Sequence, residues 1–272
     1  MPRDAGQNRL LRKLLAAHGE DRSQSNAEIM RILERELPSD DFSLSQWRLG
    51  LPYFQKRFAG FGLSGRLLID LGCGTGNWSL SAASRFETVV GVDSREDRID
   101  IAVTLGKKIG ACNVRFIQSD IQNLPFGNNE ADCVLIYNVL PNIRDWKMIL
   151  DDVFRILRPG GKFWCSWGDV GISLFYLANG FSKGRASQLK QTFGANYREL
   201  SQRLRGRQGT FNGMYLRAAC VSEAVRASGF KPLWESRYGP GPNGAAPIFP
   251  QKLLGIPFFN EMFAVKPPDL KA

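Results

Sequence analysis

The sequence predicts an α/β fold in which a mostly parallel sheet carries helices on both faces. Three observations predict it. From Arg66 to Trp167, short apolar runs alternate with amphipathic stretches, as in successive βαβ units. The runs end on polar or acidic residues: Asp70, Asp93, Asp120 and Asn138. A glycine-rich loop, Gly72-Cys73-Gly74-Thr75-Gly76, follows the first run without a break. In such sheets, ligands bind outside the carboxyl ends of the strands. These residues, distant in sequence, are therefore expected to meet in one crevice.

The elements follow in chain order. Ile29, Ile32, Leu33 and Leu37 recur at helical spacing, and Pro38 ends that run. A second stretch, Trp47 to Phe58, mixes aromatics with Arg48, Lys56 and Arg57. Residues 1–62 are read as a helical N-terminal extension, and 63–272 as the main domain. RLLIDL is the first strand and ETVVGVD the second. Ser94 then reads as a helix N-cap with Asp97 three residues on, ahead of a stripe of Ile99, Ala102 and Val103. NVRFIQSD and ADCVLIYN are the third and fourth strands. Trp146, Ile149, Leu150, Val153, Phe154 and Leu157 mark a helix face that Arg158-Pro159-Gly160-Gly161 should stop, before KFWCSW as the fifth strand.

Residues 169–214 interrupt the alternation and are read as a helical cap inserted after the fifth strand. Leu189, Phe193, Tyr197, Leu200 and Leu204 lie three or four apart there. Between 181 and 209, seven Lys or Arg face Glu199 alone, so the cap is basic. A helix over 216–228, a stop at Gly229 and the strand KPLWESRY follow. GPGPNGAAPIFP is a loop and FFNEMFAV the last strand.

Composition bounds the function classes. The formal charge of +10 suits an acidic partner such as nucleic acid, an anionic lipid surface or a phosphorylated substrate. No apolar run approaches 18 residues, so no transmembrane helix is expected. The polar, charged start MPRDAGQNRLLRKLL is not a secretory signal. The five cysteines form no CxxC pair, and His18 is the only histidine, so no metal site is expected. Cys133 and Cys165 lie in strand-like runs and read as buried thiols in a reducing cytoplasm.

The glycine loop is informative in its spacing. A dinucleotide fingerprint reads GxGxxG, but here the third glycine comes one place early and Asn77 takes the usual position. A ligand without a pyrophosphate fits better. S-adenosylmethionine (SAM) presents a methionine zwitterion, a ribose, an adenine and a sulfonium, and it needs acceptors for the ammonium and hydroxyls. Asp70 lies where the cation would sit. Asp93 suits the ribose diol, and Asp120 suits the adenine amino group, with Ile121 beside the ring.

LLIDLGCGTGNWS, VVGVDS, VRFIQSDIQNLPF, ADCVLIYNVL and RILRPGGKFW, in this order over about residues 66–167, resemble the class I SAM-dependent methyltransferases. The resemblance implies a Rossmann-like seven-stranded sheet with an antiparallel last strand, and SAM as cofactor. It implies that Gly72, Gly74 and Gly76 line the amino-acid end of the cofactor, with Cys73 a small neutral spacer among them. Asp70 is the acidic residue before the loop. Asp93, with Ser94, takes the ribose. Asp120 and Ile121 frame the adenine, and Asn138 and Val139 lie near the methyl group. Trp78 could shield the ligand but reads better as packing.

Methyl transfer from a sulfonium is an in-line displacement that orientation and desolvation can drive. A hydroxyl acceptor benefits from a base. His18 lies in the N-terminal extension, so a base must be Asp, Glu, Tyr or Lys. Asp169, just after the fifth strand, is placed best, with Tyr137, Tyr176 and Tyr215 as weaker candidates. No Asn-Pro-Pro-Tyr follows the fourth strand, as amino-adenine enzymes show, and no Pro-Cys nucleophile is present. LRPGG and NLPF resemble the branch acting on small molecules, sugars and lipids. The basic cap could hold an anionic acceptor. RNA is the second choice of acceptor, and a non-catalytic subunit with this fold is the third reading.

Overall fold

The computed structural model describes residues 19–38, 41–143, 145–168, 216–236, 252–253, 256–257 and 259–268. The expected cap over 169–214, its basic 181–209 segment, the GPGPNGAAPIFP loop and His18 lie outside these residues.

Three helices precede the sheet: α1 (Gln24–Glu36), α2 (Asp41–Arg48) and α3 (Gly50–Gly60). Helix α1 starts where the Ser23 hydroxyl accepts the Asn26 N–H, an N-cap that the sequence reading passed over. It ends at Glu36, two residues before Pro38. Then come β1 (Gly65–Leu71), α4 (Asn77–Ala82), β2 (Phe86–Asp93), α5 (Glu96–Ile109), β3 (Val114–Gln118) and β4 (Ala131–Tyr137). A single 3₁₀ turn, Leu140–Asn142, leads to α6 (Trp146–Ile156) and β5 (Leu157–Gly168). The described chain closes with α7 (Ala218–Ala227), β6 (Lys231–Glu235) and β7 (Phe259–Val265). Lys252–Leu253 and Ile256–Pro257 form a separate small antiparallel pair.

The sheet has seven strands in the order β3-β2-β1-β4-β5-β7-β6. The first five are parallel, and β7 runs antiparallel between β5 and β6. The expected Rossmann-like fold is therefore observed, including its antiparallel last strand. Both faces of the sheet are covered, which is why the central strands read as nearly unbroken apolar runs. On one face, Ile69, Leu71, Val90, Val134 and Ile136 pack against α6 and α7. On the other, Leu68, Val89, Cys133 and Leu135 pack against Phe54 and Phe58 of α3 and Trp78 of α4. Helices α1 and α2 form an outer layer there, with Leu33 and Trp47 packed against Leu80, Ile101 and Leu105.

Two local expectations need correction. Ser94 is not the N-cap of α5. Arg95 holds that position without a side-chain cap, because the Asp93 carboxylate takes the Arg95 N–H at 3.0 Å and the turn needs one more residue. Arg158-Pro159-Gly160-Gly161 does stop α6, but it is not a plain turn before the fifth strand. Strand β5 already begins at Leu157, which pairs with Ala131, and the register then jumps to Cys133 opposite Lys162. The extra residues form a bulge that β7's end secures, through Gly160 N–H to Lys266 O and Lys266 N–H to Gly161 O. The Lys266 ammonium donates to the carbonyls of Phe154 and Leu157 and to Asn129 Oδ1, all within 2.8 Å, and so caps the carboxyl end of α6.

A buried ion pair crosses the aromatic face. Arg57 of α3 bonds to Glu261 of β7, and Tyr137 at the end of β4 donates its hydroxyl to the other Glu261 oxygen at 2.7 Å. The Arg57 guanidinium also lies 5.3 Å from the Trp164 ring centroid. Removing one partner strands a buried charge, whereas removing both does not. Arg57→Ala should therefore lower stability by about 3–5 kcal/mol in urea denaturation, and Arg57→Met with Glu261→Met should recover most of that loss.

Candidate functional site

The strand order reverses between β1 and β4. The connection from β1 leaves toward α4 on one face, and that from β4 leaves toward α6 on the other. Such a switch point opens a crevice at the carboxyl edge. The glycine loop lies there. Gly72 and Gly74 have φ of +75° and +55°, a region that costs a side chain energy. Their surroundings differ. A Cβ on Gly72 would come within 2.3 Å of the Val139 side chain, so the chain leaving β1 and the chain leaving β4 touch at this point. A Cβ on Gly74 would meet nothing within 4 Å, so this backbone is open to an incoming ligand.

The carboxylates take distinct positions. Asp70 is 1% exposed, and Ser79 Oγ donates to its Oδ2 at 2.6 Å. Burial pushes its carboxyl up from 3.8 to about 7, and the nearby Asp93 adds to the rise. Asp93 closes the loop from the other side: its Oδ2 accepts the Gly74 N–H at 2.9 Å and its Oδ1 the Arg95 N–H. Ser94 is exposed. Asp120 is also exposed and folds its carboxylate back onto the Gln122 N–H at 2.9 Å. Ile121 is buried in the core beneath it. Asn138 adopts φ of +59°, and its N–H bonds to Ser166. Val139 is half-buried against Gly72.

Asp70, Gly72, Cys73 and Gly74 line one small cleft of about 70 Å³. Burial raises the Cys73 thiol well above its ordinary range, which suits a neutral spacer and not a nucleophile. The same cleft is lined by Thr75 of the loop and by residues that sequence reasoning did not assign to the site: Ser43, Gln46 and Trp47 of α2, and Asn77 at the start of α4. Trp47 Nε1 donates to Thr75 Oγ1 at 2.8 Å, and Asn77 Nδ2 donates to Gln46 Oε1 at 2.6 Å. The signal available was a polar Gln46 beside a tryptophan, both of them buried. Trp78 sits edge-on to Phe54, Phe58 and Trp164 and also lines the cleft. Tyr137 faces the cleft, but burial and its bond to Glu261 hold its phenol well above the ordinary range, which disfavours it as a base. Asp169, Tyr176 and Tyr215 lie outside the described residues. A second, open groove of about 950 Å³ runs along β3 and α5, away from these groups. Among the described residues, no three His, Cys, Asp or Glu groups come together as a metal site. None of the described helices is long and apolar enough to cross a membrane.

Comparison with known proteins agrees with this architecture. Residues 68–161 match the family described as "Methyltransferase domain". The demethylmenaquinone methyltransferase of Lactococcus lactis is 34% identical over 106 residues, which are 38% of this chain and 42% of that protein. The chain thus matches less than half the length of the curated relatives. Among solved structures, the [4+2]-cyclase SpnF aligns with a TM-score of 0.55 at 19% identity, covering 82% of this chain and 83% of that one. A SAM-dependent methyltransferase from Aquifex aeolicus aligns at 0.51 and 12% identity, covering 89% and 98%. Residues 68–161 thus match a methyltransferase-domain model, on a fold shared with SAM-dependent methyltransferases.

The two glycines should separate by experiment. Gly74→Ala should cost about 1–2 kcal/mol of stability, the left-handed strain alone. Gly72→Ala adds the clash with Val139 and should cost clearly more, about 3 kcal/mol or above in denaturant unfolding.

Proposed function

We propose that this protein transfers the methyl group of SAM to a hydroxyl or similar nucleophile of a small-molecule, sugar or lipid-linked acceptor. One observation carries the cofactor half. Two carboxylates, Asp70 and Asp93, flank an open glycine backbone, and their mutual repulsion contributes to the raised Asp70 carboxyl. A ligand bearing positive charge relieves that repulsion. A phosphate would worsen it. SAM carries both an ammonium and a sulfonium.

In this reading, Asp70 faces the ammonium, and Gly72, Cys73, Gly74 and Gly76 supply backbone around the amino-acid end. Asp93 keeps lone pairs for the ribose hydroxyls beyond those it gives to Gly74 and Arg95, and Ser94 stands next to it. Asp120 and Ile121 serve the adenine, and Asn138 and Val139 border the methyl group. Bound SAM supplies an electrophilic methyl: the acceptor oxygen forms the new C–O bond as C–S breaks, the sulfur keeps the electron pair as a neutral thioether, and the acceptor proton leaves to solvent or a base. Asp169 is the candidate for that base, ahead of Tyr176 and Tyr215. The acceptor class is supported by the LRPGG and NLPF motifs and by relatives named for demethylmenaquinone, and the basic 181–209 segment suits an anionic acceptor.

Calorimetric titration with SAM and with S-adenosylhomocysteine tests the cofactor assignment, and binding of neither would overturn it. The acceptor reading is tested by methyl-label transfer into extract fractionated into lipid, small-molecule and RNA pools; label in the RNA pool alone would overturn it. Binding should also titrate. Asp70 is protonated below about pH 7 in the free protein, and a cation favours its ionised form. SAM affinity should therefore rise by up to about tenfold per unit as pH climbs from 5.5 toward 7, then level off. Asp70→Asn should weaken binding at pH 7.5 and flatten that profile in titrations across the range.

A further inference from the structure

The cleft beside the glycine loop has two chemically opposite walls. On the sheet side stand Asp70 and, through its bond to Gly74, Asp93. On the α2 side stand Gln46 and Ser43. Gln46 is 6% exposed, and its Oε1 accepts from Asn77. That bond fixes the orientation of the amide and leaves the two Nε2 hydrogens as donors. Ser43 Oγ accepts from the Arg98 guanidinium at 3.0 Å, so a cation backs this wall. The Trp47–Thr75 bond locks α2 in register beside the loop. Trp47 is fully buried, so the helix cannot shift without exposing it.

An amino-acid zwitterion needs this polarity: acceptors for its ammonium on one side, donors for its carboxylate on the other. We propose that Gln46, on the N-terminal helix α2, recognises the carboxylate of the cofactor's methionine moiety. Ser43 backed by Arg98 reinforces the same wall. Trp47 is a positioning residue that acts through Thr75. The inference rests on the SAM assignment above and adds to it a determinant outside the methyltransferase-domain match at 68–161. It makes the helical layer before the sheet part of the cofactor site.

The test compares SAM with decarboxylated SAM, which keeps the adenosine, sulfonium and amine and lacks only the carboxylate. Both are titrated into the full-length wild type, Gln46→Leu and Gln46→Glu. Gln46→Glu keeps an acceptor for Asn77, so it preserves the α2 contact if the leucine variant loosens it. Wild type should prefer SAM by about tenfold or more, the scale of a hydrogen bond to a charged group. Both variants should bring that ratio near one, the glutamate variant furthest because it sets a carboxylate against a carboxylate. Binding of decarboxylated SAM should stay within about twofold of wild type, on the same scale. Three results would overturn the inference: a wild type that binds the two ligands equally, variants that keep the wild-type ratio, or variants that weaken both ligands alike. A wild type that binds neither ligand overturns the SAM assignment itself, which keeps the two failures distinct.

Discussion

The contact between Gly72 and Val139 is the constraint around which the site is arranged. Strands β1 and β4 are hydrogen-bonded neighbours, yet their connections depart to opposite faces of the sheet. The two departing segments pass each other at the carboxyl edge, with the Val139 side chain against the Gly72 backbone. A side chain at position 72 would collide with Val139, so glycine is required there by packing as well as by its positive φ. Asp93, at the end of the adjacent strand, then reaches the Gly74 N–H. The crevice is a geometric consequence of the strand order, and the carboxylates at its rim follow from where β1 and β2 stop.

Burial supplies the electrostatics. Asp70 is enclosed by the helices that cover the sheet, and Ser79 of α4 is its one hydrogen-bond donor among the described residues. A carboxylate there is costly when ionised, and a neighbouring Asp93 makes it more so. The buried Glu261 on β7 is treated differently, since Arg57 and Tyr137 both bond to it. The fold thus contains two buried acids on the same side of the sheet. One is satisfied internally and joins α3, β4 and β7. The other faces a cleft with its charge unneutralised. That contrast separates a structural carboxylate from one available to a ligand.

Much of this was legible in the sequence because parallel strands buried on both faces leave a strong signature. The runs RLLIDL, ETVVGVD and ADCVLIYN gave β1, β2 and β4 within a residue of their observed limits, and the order of motifs implied the antiparallel β7. Less legible were features that depend on partners distant in sequence. Ser94 has the right chemistry for an N-cap, but Asp93 competes for the same turn and wins because its carboxylate already bridges to Gly74. The RPGG segment has the composition of a turn. Its extension into β5 depends on Lys266, more than a hundred residues later. Gln46 and Trp47 carried no motif at all. Their importance comes from contacts with Thr75 and Asn77, about thirty positions away, across a helical layer that local pattern could not dock.

The same physics explains how one fold can serve different reactions. SpnF, a [4+2]-cyclase, shares this architecture, so the architecture alone does not specify methyl transfer. The strand order opens a crevice, and in this chain a glycine backbone and the carboxylates of Asp70 and Asp93 stand at it. What a shared architecture leaves open is the lining of that edge. In this chain, the position after β4 is Asn138 in a left-handed conformation, held by Ser166 of β5 and followed at once by Val139 against the loop. A small apolar side chain and a constrained backbone at that edge supply shape; they supply no proton acceptor. Orientation is therefore the effect that this edge can contribute toward a bound ligand.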